Sequence, residues 1–154
     1  MVSSITKPFN SKIMRTIIAL CTMAIFFISC DETKKVIDVA GNVQLSGNYT
    51  ISSLGDKKVS DIAPTISFTA LDKSVRGNTG CNSFFGNYSV DLYALTFSDI
   101  ASTEMACDEP IMTNENMFLA ALRNTGSYGI QENVLTLYSK TDRSVLLTAQ
   151  KQKN

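Results

Sequence analysis

From residue 46 onward the apolar positions recur mostly with a period of two, the spacing of half-buried strands. In 48–54 (NYTISSL) Tyr49 and Ile51 share one face, and Gly55-Asp56 can turn the chain. In 65–70 (TISFTA) Ile66 and Phe68 point the same way, with Pro64 just before them. The stretch 74–90 contains Gly77, Gly80 and Gly86 and reads as strand, tight bend, strand, because glycine tolerates a positive φ or a close backbone approach. Leu95 and Phe97 begin another strand, and 100–105 reads as one more. Near the C-terminus 127–130, 134–138 and 145–149 are strands separated by the polar turns Gln131-Glu132-Asn133 and Thr141-Asp142-Arg143. The last two, VLTLY and VLLTA, pair as a hairpin.

Between these strands 110–123 breaks the period. Ile111, Met112, Phe118, Leu119 and Leu122 recur at three, four and seven, with Ala120 and Ala121 favouring a helix. Asp108, Glu109 and Pro110 suit its start, Arg123 its last turn and Gly126 its stop. The polar step Asn114-Glu115-Asn116 predicts that the regular helix begins only near Asn114. Many short strands with one helix give a mainly β (α+β) domain: a small antiparallel sheet or partly closed barrel, its open end or face covered by the helix.

The N-terminus follows a different logic. Lys7, Lys12 and Arg15 precede an apolar run from Thr16 to Ile28 that ends at Ser29-Cys30. About thirteen apolar residues fall short of the roughly 20 a membrane-spanning helix needs but match the core of a secretory signal. Phe27-Ile28-Ser29-Cys30 resembles the bacterial lipobox, with Phe27 where leucine is usual, so Cys30 is expected to be lipidated. From Met14 the segment also reads as a complete, compact signal. Residues 1–29 are thus a lipoprotein signal peptide, 30–45 the lipidated cysteine and a flexible linker, and 46–150 the folded domain. Asp31, Glu32, Lys34, Lys35 and Asp38 make the linker polar from Asp31 to about Gly41. The location implied is the bacterial cell envelope, lipid-anchored, in the periplasm or at the outer membrane, with cell-surface export left open by the acidic pair after Cys30.

Composition removes several chemistries. The 154 residues include no His and no Trp, with 14 Lys+Arg against 14 Asp+Glu. Without an imidazole there is no Ser-His-Asp or Cys-His relay and no HExxH zinc helix. A zero net charge without a basic stripe gives no electrostatic footprint for nucleic acid. Of four cysteines, Cys21 leaves with the signal and Cys30 takes the lipid. Cys81 and Cys107 remain in a compartment that permits disulfides, and an even remainder suggests one bridge, with free buried thiols as the alternative.

The run Gly77-Asn78-Thr79-Gly80-Cys81-Asn82-Ser83-Phe84-Phe85-Gly86-Asn87-Tyr88, followed by Ser102-Thr103-Glu104-Met105-Ala106-Cys107, resembles the META domain, also described as HslJ-like or DUF306. Glu115 and Phe118-Leu119 in a helix, then Tyr128, Leu135-Thr136-Leu137 and Leu146-Leu147, follow the same order of elements. The resemblance spans roughly 46–149, and Tyr49 stands where many members have tryptophan. It implies a barrel-like β fold, a Cys81–Cys107 disulfide and a loose connection with envelope stress. It implies no reaction and no cofactor.

Read from their own chemistry, the motif's glycines bend the chain at the cysteine, and Asn82 can hydrogen-bond main-chain groups in that bend. The resemblance marks Gly77, Thr79, Gly80, Asn82, Gly86, Thr103, Met105 and Ala106 as family-motif residues, structural with a possible binding role, and Thr79, Asn82 and Thr103 are alternatively polar groups of a ligand pocket. Phe84, Phe85, Tyr88 and Phe97 are core aromatics or, alternatively, a binding surface; adjacent Phe84 and Phe85 must point to opposite faces. Asp99, Glu104, Asp108, Glu109 and Glu115 lack the spacing of a calcium loop and read as a solvated face and helix N-terminus. No metal site and no catalytic residue is expected. The function that fits is a non-catalytic, monomeric, lipid-anchored envelope module that contacts another protein or envelope component. The alternative is a small-ligand carrier with a cavity between sheet and helix.

Overall fold

The computed structural model describes residues 40–59 and 62–153. The signal segment, Cys30 and the linker up to 39 lie outside them. A helical segment α1 (40–45) leads into β1 (Gly47–Leu54) and β2 (Lys57–Lys58), then β3 (Thr65–Thr69), β4 (Ser74–Asn78), β5 (Ser83–Asp91) and β6 (Ala94–Ser102). Helix α2 (Glu109–Asn124) follows, then β7 (Thr125–Gln131), β8 (Val134–Ser139) and β9 (Val145–Lys151). Every ladder is antiparallel, and β1 pairs with both β3 and β9, so eight strands close into a barrel while β2 adds only a two-residue rung to β1. Closure leaves no long open edge at β1 or β9.

The period of two places one face of each strand in the lumen. Along β5 burial alternates without a break, with Phe84, Gly86, Tyr88 and Val90 inward and Phe85 in solvent. Tyr49, Ile51, Ile66, Phe68, Leu95, Leu135, Leu137 and Leu147 fill the same core. Tyr49 and Phe68 meet edge-on at 5.9 Å between ring centres, and Phe68 meets Tyr88 at 5.2 Å. Burial pushes the phenols of Tyr49 and Tyr88 up to about 12, so both stay neutral donors at physiological pH. The Tyr49 hydroxyl donates to the Leu45 carbonyl at 3.0 Å, and the Tyr88 hydroxyl to that of Thr69 at 3.3 Å.

Both barrel ends carry helical structure. Because direction alternates, α1 and the β3–β4, β5–β6 and β7–β8 turns share one end; the β4–β5 turn, the β8–β9 turn and the connection holding α2 share the other. Helix α2 turns Phe118, Leu119, Ala121 and Leu122 inward, and Phe118 packs on Phe84 at 5.2 Å between centres. At the opposite end Leu45 of α1 is fully buried.

Four expectations need correction. The folded part does not begin at 46: residues 40–45 are helical and Asn42 and Leu45 are buried, so the linker expected over 30–45 gives way to packed structure by residue 40. Helix α2 starts at Glu109, with Pro110 in its first turn where a missing N–H costs nothing. It stops without Gly126: Thr125 passes directly into β7, its hydroxyl donating to the Ala121 carbonyl at 2.8 Å. Finally, 100–105 is not a separate strand. β6 runs on to Ser102 through a bulge at Asp99 (φ 55), where the register steps from Asn87↔Ser98 to Phe85↔Ala101.

Candidate functional site

The sequence motif converges at the end of the barrel that α2 covers. Between β4 and β5 the turn is built by short-range bonds. The Gly80 N–H donates to Asn78 Oδ1 at 2.7 Å, the Thr79 N–H to the Asn82 carbonyl at 2.7 Å, and the Asn82 N–H to Thr79 Oγ1 at 2.9 Å. Gly80 holds φ 104, a conformation that a Cβ would strain. The neighbouring Gly77 is needed for another reason, since a Cβ there would fall 1.9 Å from the Thr65 carbonyl oxygen.

Asn82 is the hub. It is buried, its Oδ1 accepts from Thr103 Oγ1 at 2.7 Å and from the Met105 N–H at 2.8 Å, and its Nδ2 donates to the Met105 carbonyl at 3.1 Å and to Glu115 Oε1 at 3.0 Å. Glu115 is buried as well, and its other carboxylate oxygen accepts the Thr79 hydroxyl. Its partners among the described residues are neutral donors. The Cys81–Cys107 disulfide closes beside this network, with Cα atoms 6.1 Å apart. The β4–β5 turn, the segment after β6 and helix α2 are thus tied together through one amide, one carboxylate and one covalent bridge.

The structure brings Thr79, Asn82 and Thr103 together as a group, with Met105 contributing only its backbone. The Met105 side chain and Ala106 face solvent. Gly86 lies away from the group on β5, opposite the Asp99 bulge, where a Cβ would meet the Ser98 carbonyl oxygen at 2.9 Å. Glu115 departs from the sequence expectation: it is no part of a solvated face. Asp99, Glu104, Asp108 and Glu109 are exposed. The signal for Glu115 was its spacing, since 111, 115, 118 and 122 form one helical stripe and three of those positions are apolar.

This arrangement has little capacity left for a ligand. The Asn82 amide uses both hydrogens and accepts twice, and both Glu115 oxygens are occupied. No group of three or more Cys, Asp or Glu able to hold a metal occurs among the described residues. A groove of about 260 Å³ runs between α2 and the β1 and β9 strands, lined by Leu54, Met117, Ala120, Val145 and Leu146. It lies outside the barrel wall, as the exposure of Met117 and Val145 shows.

Three solved structures share the fold. A protein from Burkholderia xenovorans solved by NMR superposes with a TM-score of 0.60 at 21% identity, over 75% of this chain and 89% of that one. A second NMR structure gives 0.59 at 26% identity, over 71% and 93%. The crystal structure of a DUF4847 family protein from Bacteroides vulgatus gives 0.54 at 16% identity, over 75% and 99%. No functionally curated protein matches the chain. The META domain family model matches residues 42–152, a span that takes in the barrel, α2, the disulfide and the Asn82–Glu115 network, and on that match the chain belongs to the META domain family.

Proposed function

We propose that this protein is a non-catalytic, lipid-anchored module of the bacterial cell envelope, acting through its outer surface on another protein or envelope component in a stress-related role. The observation that carries this reading is the filled lumen. Tyr49, Phe84, Phe118, Leu95, Leu135 and Leu137 occupy the space that an eight-stranded barrel would otherwise offer to a small molecule, and helical structure lies at both ends. The buried Thr79, Asn82 and Glu115 side chains bond one another instead of standing ready to orient a substrate. The anchor rests on the apolar run and Ser29-Cys30.

The test is mass spectrometry of the full-length protein extracted from its own membranes without reductant, first native and then denatured. The expected result is lipid on Cys30, two hydrogens lost to the disulfide and no small-molecule adduct in the native spectrum. An added native mass that vanishes on denaturation would overturn the reading in favour of a carrier. Native species containing a second protein would identify the partner.

A further inference from the structure

At the barrel end where α1 enters, three apolar residues project far into solvent. Leu71 in the β3–β4 turn is 97% exposed, Tyr93 in the β5–β6 turn 78% and Val43 on α1 63%. Hairpin tips ordinarily carry Asn, Asp or Gly, as the third turn at this end nearly does with Glu132 and Asn133, both at positive φ. The β5–β6 turn instead places Leu92 at φ 58, a conformation leucine disfavours. Local turn chemistry therefore does not explain Leu92-Tyr93. The three projecting residues share one rim. A Cβ on Gly41 of α1 would touch Val90 and lie 3.8 Å from the Leu92 carbonyl oxygen, and the Tyr88 N–H donates to the Lys73 carbonyl at 2.9 Å, joining the β3–β4 turn to β5. Toward the other end Ile62, Met105, Met117 and Val145 are less exposed than Val43, and Phe85 on the outer wall of β5 equals it.

The chain outside the described residues says what this rim faces. Nine residues, 31–39, separate Cys30 from α1. Fully extended they reach about 30 Å, and they join the barrel at this end. A lipid on Cys30 would tether the domain from this rim, which is nearer the anchor along the chain than the α2 end is. Charges of both signs surround the rim, Lys73, Lys151 and Lys153 with Asp72, Asp91 and Glu132, and Arg143 shares a groove with Tyr93, so the contact is not one of attraction to anionic headgroups alone and draws on apolar insertion.

We infer that the rim carrying Val43, Leu71 and Tyr93 is a membrane-docking surface that seats these side chains in the interface of the bilayer holding the anchor. Tyrosine suits that depth, having an apolar ring and a hydroxyl that stays with water. The inference rests on the proposed anchor and adds an orientation to it: the end closed by α2 faces away from the membrane, where a partner can reach the outer face of the helix.

The chain has no tryptophan, so a single introduced indole reports its own position. Full-length lipidated protein carrying Leu71→Trp, Tyr93→Trp or, at the far end, Val145→Trp is reconstituted into phosphatidylethanolamine–phosphatidylglycerol vesicles with and without bromine on the acyl chains. All three sites are exposed, and far-UV circular dichroism checks the fold of each variant. Leu71→Trp and Tyr93→Trp are expected to emit further to the blue on vesicles and to lose most of their emission to the brominated lipid, while Val145→Trp does neither. Lipidated, vesicle-bound protein in which the two rim indoles emit as they do in water would overturn the docking and leave the anchor standing. So would rim indoles shielded only when a second envelope protein is added, which would make the rim a protein interface. Protein whose intact mass lacks lipid on Cys30 and which stays in the supernatant would overturn anchor and docking together.

Discussion

Glu115 is a carboxylate placed where a neutral residue would cost less, so its partners must compensate for the water it gives up. They are the Thr79 hydroxyl and the Asn82 side-chain and backbone N–H groups, from a turn that is more than thirty residues distant in sequence. Glu115→Ala leaves one hydrogen of the buried Asn82 amide without its acceptor and the Thr79 hydroxyl with only the Asn82 carbonyl, and Asn82→Ala removes the acceptor of the Met105 N–H and the Thr103 hydroxyl. Each single change is expected to cost about 1–3 kcal/mol in guanidinium unfolding. Since each substitution already breaks the bond they share, the double variant should lose less than the sum, with a coupling of roughly 0.5–3 kcal/mol. Costs that simply add would show that amide and carboxylate act separately. At this scale the sequence was partly legible. Asn82 and Thr79 stood out as turn residues, and Phe84 against Phe85 follows from strand geometry. Glu115 was hidden by two polar neighbours, Asn114 and Asn116, which made an inward position look like an interruption of the helix.

Between elements, the barrel wall is thinnest where α2 is inserted. β6 and β7 pair through Ala94↔Ser127, with the Tyr128 N–H donating to the Tyr93 carbonyl at 3.1 Å, whereas the β5–β6 ladder runs the length of both strands. What holds the chain beyond β6 in place is therefore the attachment at its far end: the Cys81–Cys107 bridge, Asn82 and the inward face of α2. Cysteines 26 apart close a loop for which the chain-entropy account gives about 3–4 kcal/mol. Cys81→Ser with Cys107→Ser should accordingly lower Tm by roughly 10–20 °C under oxidising conditions. An unchanged Tm would mean that the hydrogen-bonded network holds this seam unaided. Strand positions were legible because alternation is a local signal. The bulge at Asp99 was not, because an extra residue in one strand is visible only against the partner it slips past, and the early start of α2 was masked by the same polar step that hid Glu115.

For the whole molecule, alternation establishes that one face of each strand is buried but not whether the sheet closes. Closure depends on β1 meeting β9 across nearly the whole domain, Tyr49↔Lys151 and Ile51↔Ala149, a pairing no local pattern announces. Once an eight-stranded barrel closes, its interior is just wide enough to be filled by side chains or to hold one small ligand, and the inward residues decide which. Here they are large, and α2 adds Phe118 from the end. Phe118→Ala tests that balance directly. It should cost about 3–5 kcal/mol and leave an apolar void against Phe84 that stays dry. A small aromatic such as benzene should then bind the variant and raise its Tm in proportion to the logarithm of ligand concentration, because it binds the folded state alone. The parent protein should show no such shift, its lumen being filled by the inward side chains. Saturable uptake of benzene by the parent would mean that the lumen opens in solution, and the carrier reading would then replace that of a packed module whose contacts lie on its outside.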